Sequence, residues 1–91
     1  MIKGIINYFS DYRKVIYYAN KLTLGIHYSI PNCRDNINIF TKEELRSILL
    51  NYDNKLTNKR INKIVDLVIE ELYKYGHTCI IRSTDYVFVR K

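Results

Sequence analysis

The chain has 91 residues and a formal net charge of +6, with nine tyrosines and two cysteines. This length allows one domain with a small core, and the 47% of hydrophobic residues excludes general disorder. Cys33 and Cys79 are too few to form a disulfide scaffold. The excess of positive charge predicts attraction to polyanions: nucleic acid first, and an anionic membrane or an acidic protein second.

Residues 3–20 are predicted to form a first amphipathic helix. Its apolar stripe contains residues at helical spacing, which are Ile5, Phe9, Tyr12 and Ile16, widened by Ile6, Tyr8, Val15 and Ala19. We interpret it as a core helix with a basic edge. The alternative is a membrane-surface helix, whose polar face is usually rich in Lys and Arg. It is disfavoured because Asn7, Asp11 and Asn20 reduce the positive charge of that face.

The next segment, Thr23 to Ile30, alternates polar and apolar residues, which predicts a half-buried strand. Pro31 ends this strand, and residues 32–36 have the composition of a polar loop. Residues 37–40 then predict a short strand that leads into the next helix.

A second helix is predicted to begin after Thr41 and to run to about Tyr52. Thr41 and Glu44 have the spacing of a capping box, in which the threonine side chain accepts a bond from a free backbone N–H. Residues 53–56 form a short connector, and Leu56 is expected to pack beside the start of the third helix.

The third helix is predicted between its N-cap Thr57 and Gly76, which reaches a left-handed conformation cheaply. Its apolar face contains Ile61, Ile64, Val65, Val68, Ile69 and Leu72. Basic residues crowd its first turns, whereas the helix dipole prefers them at the other end. This order indicates either that the basic end has a function or that exposed charges at a helix end cost little in water. After Gly76, residues 78–82 and 86–90 predict a two-stranded hairpin around a turn at 83–85.

From Ile37 onward, the order of short strand, capped helix, tight turn, capped helix and hairpin resembles the winged-helix branch of the helix-turn-helix superfamily. With the first helix, the likeness covers most of the chain, and it rests on element order rather than on a diagnostic motif. It implies an α+β, winged-helix-like fold with three main helices and a C-terminal β-hairpin wing. The whole chain, 1–91, would be one domain: an N-terminal helix and elaborated connection at 1–36, then the helix-turn-helix and hairpin at 37–91.

The resemblance implies double-stranded DNA as the partner, read by helix 57–76 and clamped by hairpin 78–90. Residues expected to reach base edges or nearby phosphates at the start of that helix are Asn58, Lys59, Asn62 and Lys63. Residues expected to contact the DNA backbone are Lys55, Arg60, Arg82, Ser83, Thr84, Arg90 and Lys91. The protein would be a transcriptional regulator or replication accessory from a virus, plasmid or low-GC microbe. It would bind as a homodimer formed through the first helix.

A second hypothesis makes the same fold a protein-interaction module, either a viral or mobile-element inhibitor of a host complex or a small subunit of an assembly. The aromatic first helix and residues 23–36 would then form the contact surface. RNA binding through the basic ribbon is a third alternative.

No catalytic, cofactor or metal site is expected. His27, Cys33, His77 and Cys79 lack a zinc-binding spacing, the glycines are isolated, and the carboxylates are scattered. No apolar run approaches the roughly 20 residues that span a bilayer, and no secretory signal is recognisable. These patterns predict an intracellular protein without a membrane partner, in the host cytoplasm or nucleus if it is viral.

Overall fold

The structure is a computed structural model that describes residues 2–30 and 36–90, with side chains described from Tyr12 onward in the first helix. Its elements are α1 (Ile2–Ser29), β1 (Ile37–Thr41), α2 (Lys42–Tyr52), α3 (Asn58–Lys74), β2 (His77–Ile81) and β3 (Asp85–Arg90). The three strands form one antiparallel sheet in the order β1-β3-β2. The fold is therefore α+β and winged-helix-like in layout, as the sequence predicts.

Helix α1 is longer than predicted, because it continues through the segment expected to be a strand. Residues 23–29 belong to this single helix of 28 residues. Leu22, Ile26 and Ile30 are spaced by four, and each is at most 3% exposed. Tertiary packing of these side chains thus overrides the local alternation that suggested a strand. The helix ends just before Pro31, whose ring disfavours helical geometry in the preceding residue.

The buried face of α1 also differs from the predicted stripe. Val15 and Ala19 are buried, but Tyr12 and Ile16 are 50% and 36% exposed. The side chains of the predicted stripe before Tyr12 are not among those described. Because the prediction ended the helix at residue 20, it missed the buried positions that follow, which are Leu22 and Ile26.

The core lies between α1, α2, α3 and one face of the sheet. Its buried residues are Val15, Ala19, Leu22, Ile26, Ile30, Leu45, Leu49, Ile61, Ile64, Val65, Val68, Leu72 and Phe88. The apolar face predicted for α3 is confirmed, with Ile69 half-buried at its margin. Helices α1 and α3 pack on each other more extensively than any other pair of elements, so they form the main helical layer.

The residues predicted to begin α2 and to begin and end α3 are confirmed. The backbone N–H of Glu44 donates to Thr41 Oγ1 at 3.0 Å, and that of Arg60 donates to Thr57 Oγ1 at 3.3 Å. Gly76 has a φ of +88°, the left-handed conformation expected after a helix. The hairpin is also confirmed, with each strand beginning one residue earlier than predicted, so its turn is 82–84.

Strand β1 joins the hairpin by pairing with β3, from Ile37 opposite Val89 to Thr41 opposite Asp85. The sequence predicts strand β1 but gives no partner for it. Phe88 is fully buried in the middle of β3, whereas its neighbours Val87 and Val89 are only half-buried. This alternation directs one face of the sheet toward the helices and leaves the other outside the core.

A pair of histidines joins the end of α1 to the start of β2. His27 Nδ1 and His77 Nε2 are 2.7 Å apart, so one ring donates a hydrogen bond to the other. His77 is 1% exposed, and its Nδ1 has no partner among the described residues. The His27 ring also packs beside Tyr28 and Tyr75, with centroid distances of 5.2 and 5.0 Å. Burial, and then the charges of His27 and Arg90, lower the pKa of His77.

Replacing Gly25 with alanine tests whether residues 23–29 are helical. Gly25 is exposed, and a Cβ there would meet no atom within 4 Å. Gly25→Ala should raise the free energy of unfolding by about 0.4–1 kcal/mol, because it restricts the unfolded chain without a clash. Gly76→Ala is the matched control and should lower it by about 1–2 kcal/mol, because its φ is left-handed. Urea denaturation measures both, and a destabilising Gly25→Ala would contradict the helix.

Stability should fall as the pH drops from about 7.5 to 5, where an unperturbed histidine titrates. The pKa of His77 is lower in the folded protein than in the unfolded chain, so the unfolded chain binds more protons in this window. The stabilisation from His77 is complete above the pKa that this histidine has in the unfolded chain. It is lost as the pH falls toward the lower pKa of His77 in the folded protein. Urea midpoints across the window measure this loss.

The His77→Phe variant should show a flatter dependence of its urea midpoint on pH, because it lacks the buried titrating ring. Asp53 and Asp85 have lowered pKa values and lose their contribution only at more acidic pH, outside this window. An equally steep loss of stability in the wild type and in His77→Phe would show that other groups cause it.

Candidate nucleic-acid interface

The N-terminal turns of α3 present polar and basic side chains to solvent. Ile61, Ile64 and Val65 are buried against the core, which turns Lys59 and Lys63, one helical turn apart, outward. The Thr57 cap fixes the point where these turns begin. A helix start with free backbone N–H groups and two exposed lysines attracts anions.

The turn between α2 and α3 is fixed by Asp53. Its Oδ1 accepts from the backbone N–H of Lys55 at 2.9 Å, and its Oδ2 accepts from the Tyr18 hydroxyl at 3.2 Å. The Lys55 backbone bond is the main cause that lowers the pKa of Asp53. The turn is thereby tied to α1, and the exposed side chain of Lys55 is placed just before α3.

A groove of about 290 Å³ runs between α2, α3 and β3, and it opens beside the start of α3. Asn58 and Asn62 line it from α3, and Lys42 and Arg46 line it from α2. The remaining lining residues are Glu43, Leu45, Ile61, Val65 and Tyr86. The groove therefore combines amide groups, two cations and one carboxylate on an apolar base.

Lys42 and Arg46 were not predicted from the sequence as site residues, although their spacing indicates that they share one side of α2. They are four residues apart in α2, next to the buried Leu45 and Leu49. A helical projection of α2 would have placed both on one flank. That this flank faces α3 follows only from the tertiary packing.

Tyr86 of β3 lies at the base of the groove. The Lys42 ammonium is 5.7 Å from the centre of its ring, within the range of a cation–π contact. Burial is the main cause that raises the pKa of Tyr86, with smaller contributions from Asp66 and Cys79. Phe88 stacks against the ring at a centroid distance of 6.4 Å, so the tyrosine is part of the packed sheet.

The hairpin turn is fixed both internally and to α2. Arg82 donates to Asp85 through Nε at 2.5 Å and through Nη2 at 2.6 Å, and this pair lowers the pKa of Asp85. The backbone N–H of Lys42 donates to the Thr84 carbonyl at 3.0 Å. Ser83 and Thr84 are exposed at the tip. The Arg82 side chain stays 54% exposed, but its charge is balanced by Asp85.

The other predicted DNA contacts are more dispersed. Arg60 is half-buried on the flank of α3. Arg90 is half-buried opposite His77, five residues along β3 from Asp85 and thus roughly 17 Å from the turn. Lys91 lies outside the described residues. The structure therefore places Lys55 just before the start of α3 and the hairpin turn beside the start of α2, and it puts Arg90 at the far end of β3.

Metal binding and cysteine reactivity are the other kinds of chemistry to consider in the described part of the chain. Among residues 2–30 and 36–90, no group of three or more His, Cys, Asp or Glu side chains could hold a metal ion. Burial raises the pKa of the free Cys79 thiol to about 11, which makes it a poor nucleophile. Cys33 lies outside the described residues. None of the described helices is both long and apolar enough to cross a membrane.

Comparison with known proteins adds no relative from which a role could be transferred. The sequence matches no protein-family model, no curated protein and no solved structure.

Proposed function

We propose that this protein binds duplex DNA in the manner of a winged-helix protein, as a small transcriptional regulator or replication accessory. The observation that carries the proposal is the groove beside α3. There, Asn58 and Asn62 lie opposite Lys42 and Arg46. These four side chains come from the two helices of a helix-turn-helix arrangement, which is where such proteins place base and backbone contacts.

The two asparagines supply the chemistry for reading bases. An asparagine amide can bond both edge groups of an adenine in the major groove. Asn58 and Asn62 are exposed and one helical turn apart, so both can approach the same groove of a duplex. We therefore assign them to base contacts, with α3 entering the major groove by its N-terminal end.

Most of the affinity would come from phosphate contacts made by exposed cations around this end of α3. They are Lys42, Arg46, Lys55, Lys59 and Lys63. Each phosphate neutralised releases condensed counterions, so binding should weaken steeply with salt. The Arg82–Asp85 pair is close to neutral, so the turn would contribute mainly through its shape and the Ser83 and Thr84 hydroxyls.

The surface of α1 favours the protein-interaction module as the second candidate. Tyr17, Leu24 and Tyr28 recur at helical spacing on the side away from the core, and they are 62%, 44% and 68% exposed. Tyrosines with an apolar ring and a polar tip are common in protein interfaces. This face does not include the groove beside α3, so the two functions predict different sensitive residues.

The DNA-binding proposal is tested by fluorescence anisotropy of a labelled random-sequence duplex over a range of salt concentrations. Wild type should bind with a steep salt dependence. The variant Lys59→Ala/Lys63→Ala should bind more weakly, and the slope of log K against log salt should shrink by about 0.9 for each phosphate that the variant no longer neutralises.

The matched control is Arg13→Ala/Lys74→Ala, which removes the same charge from exposed positions on α1 and at the far end of α3. It should keep nearly the wild-type slope if the site is at the start of α3. Equally weakened binding in the two variants would reveal non-specific attraction caused by net charge alone. Absence of binding at low salt would reject the proposal, and loss of a protein partner after Tyr17→Ala/Tyr28→Ala would favour the second candidate.

A further inference from the structure

The face of the sheet opposite the helices is apolar, although a sheet face in water is usually polar. Strand pairing aligns its side chains in two rows of three. The rows are Ile37–Val89–Thr78 and Ile39–Val87–Ile80. We call these six residues the outer face. Five of the six are isoleucine or valine, and none carries a charge.

The outer face is exposed at both edge strands. Ile37 and Ile39 of β1 are 40% and 50% exposed, and Ile80 of β2 is 52% exposed. Val87 and Val89 of the central strand are half-buried between them. The opposite face of the same strands packs on the core through Phe88, Phe40 and Cys79. The sheet thus has two apolar faces, of which the helices cover one.

We propose that a second copy of this chain packs on the outer face, so that two sheets stack back to back. The chain carries a net charge of +6, so a second copy is repelled by most of the surface. The six residues of the outer face are uncharged, and Arg82 and Asp85 balance each other at its turn end. At the other end, Glu70 and Lys74 near Thr78 carry opposite charges, and Arg90 is on the opposite face of β3 from Val89. Like-charged copies can therefore meet there at the lowest electrostatic cost.

The shape of the outer face supports the same occupant. Two apolar sheet faces pack about 10 Å apart with their side chains interdigitated, as in a β-sandwich. Branched side chains on all three strands give a face that can pack on its own copy around a two-fold axis. An acidic partner would find no cation there, and a nucleic acid would find no donor apart from the Thr78 hydroxyl.

The size of the outer face predicts a weak dimer. Three strands and two rows cover about 14 Å by 13 Å, since strands are about 4.8 Å apart and same-face residues about 6.7 Å apart. This is less than the roughly 800 Å² per partner of a standard stable interface. We therefore expect reversible association that depends on protein concentration.

Sedimentation velocity of the full chain over a wide concentration range tests the proposal. Wild type should shift from monomer to dimer as the concentration rises. Ile80→Lys should raise the dissociation constant by more than about a hundredfold, because a charge without a partner would be taken out of water. The substitution should be tolerated by the monomer, since lysine on an edge strand is a common natural feature.

The matched control is Ile81→Lys, on the same strand but with its side chain on the opposite face and 64% exposed. It should leave the dimer intact, and circular dichroism should show that both variants are folded. A wild-type chain that remains monomeric would overturn the proposal. A dimer that is absent in Tyr12→Lys but kept in Ile80→Lys would assign self-association to α1 and would also overturn it. Binding of monomers to phosphatidylcholine vesicles through Ile80 would assign the face to lipid instead.

Discussion

The packing of α1 against α3 is the interaction on which the rest of the domain depends. Ala19, Leu22 and Ile26 of α1 are at most 3% exposed, and they lie in one core with Val68 and Leu72 of α3. Burying each of the leucine, isoleucine and valine side chains among them contributes about 1.5–3 kcal/mol relative to leaving it in water. Neither helix could bury its stripe alone. Helix α3, the sheet that follows it and the turn that precedes it all take their positions from this packing.

The same packing explains why α1 was the element predicted least well. Leu24, Ile26, Tyr28 and Ile30 alternate as a strand would, yet Leu22, Ile26 and Ile30 also fit one side of a helix. The same residues thus fit both a strand and a helix, and packing against the apolar stripe of α3 selects the helix. Helices α2 and α3 were predicted to within two residues because Thr41, Thr57 and Gly76 act through local bonds and backbone conformation. The pairing of β1 with β3 joins residues about fifty positions apart, and no local pattern encodes it.

The candidate interface shows a similar division between local and distant information. The exposed positions of Lys59 and Lys63 follow from the period of α3, so the sequence sufficed to propose them. Lys42 and Arg46 enter the groove only because α2 crosses near the start of α3. Arg82 was expected to be available to DNA, but a shift of one residue in the hairpin turn pairs it with Asp85. Predictions about single side chains in a turn depend on a register that patterns leave uncertain by one residue.

The absence of any linker between β1 and α2 has a further consequence. Thr41 is both the last residue of β1 and the N-cap of α2, and Lys42 is bonded through its backbone to the hairpin turn. The sheet, the turn and α2 are thus joined without a residue that could act as a hinge. If the groove binds a duplex, the protein has little means to adjust its shape, and the DNA must bend or change its groove width instead. Sequences whose base steps deform easily would then be preferred, even at positions that no side chain touches.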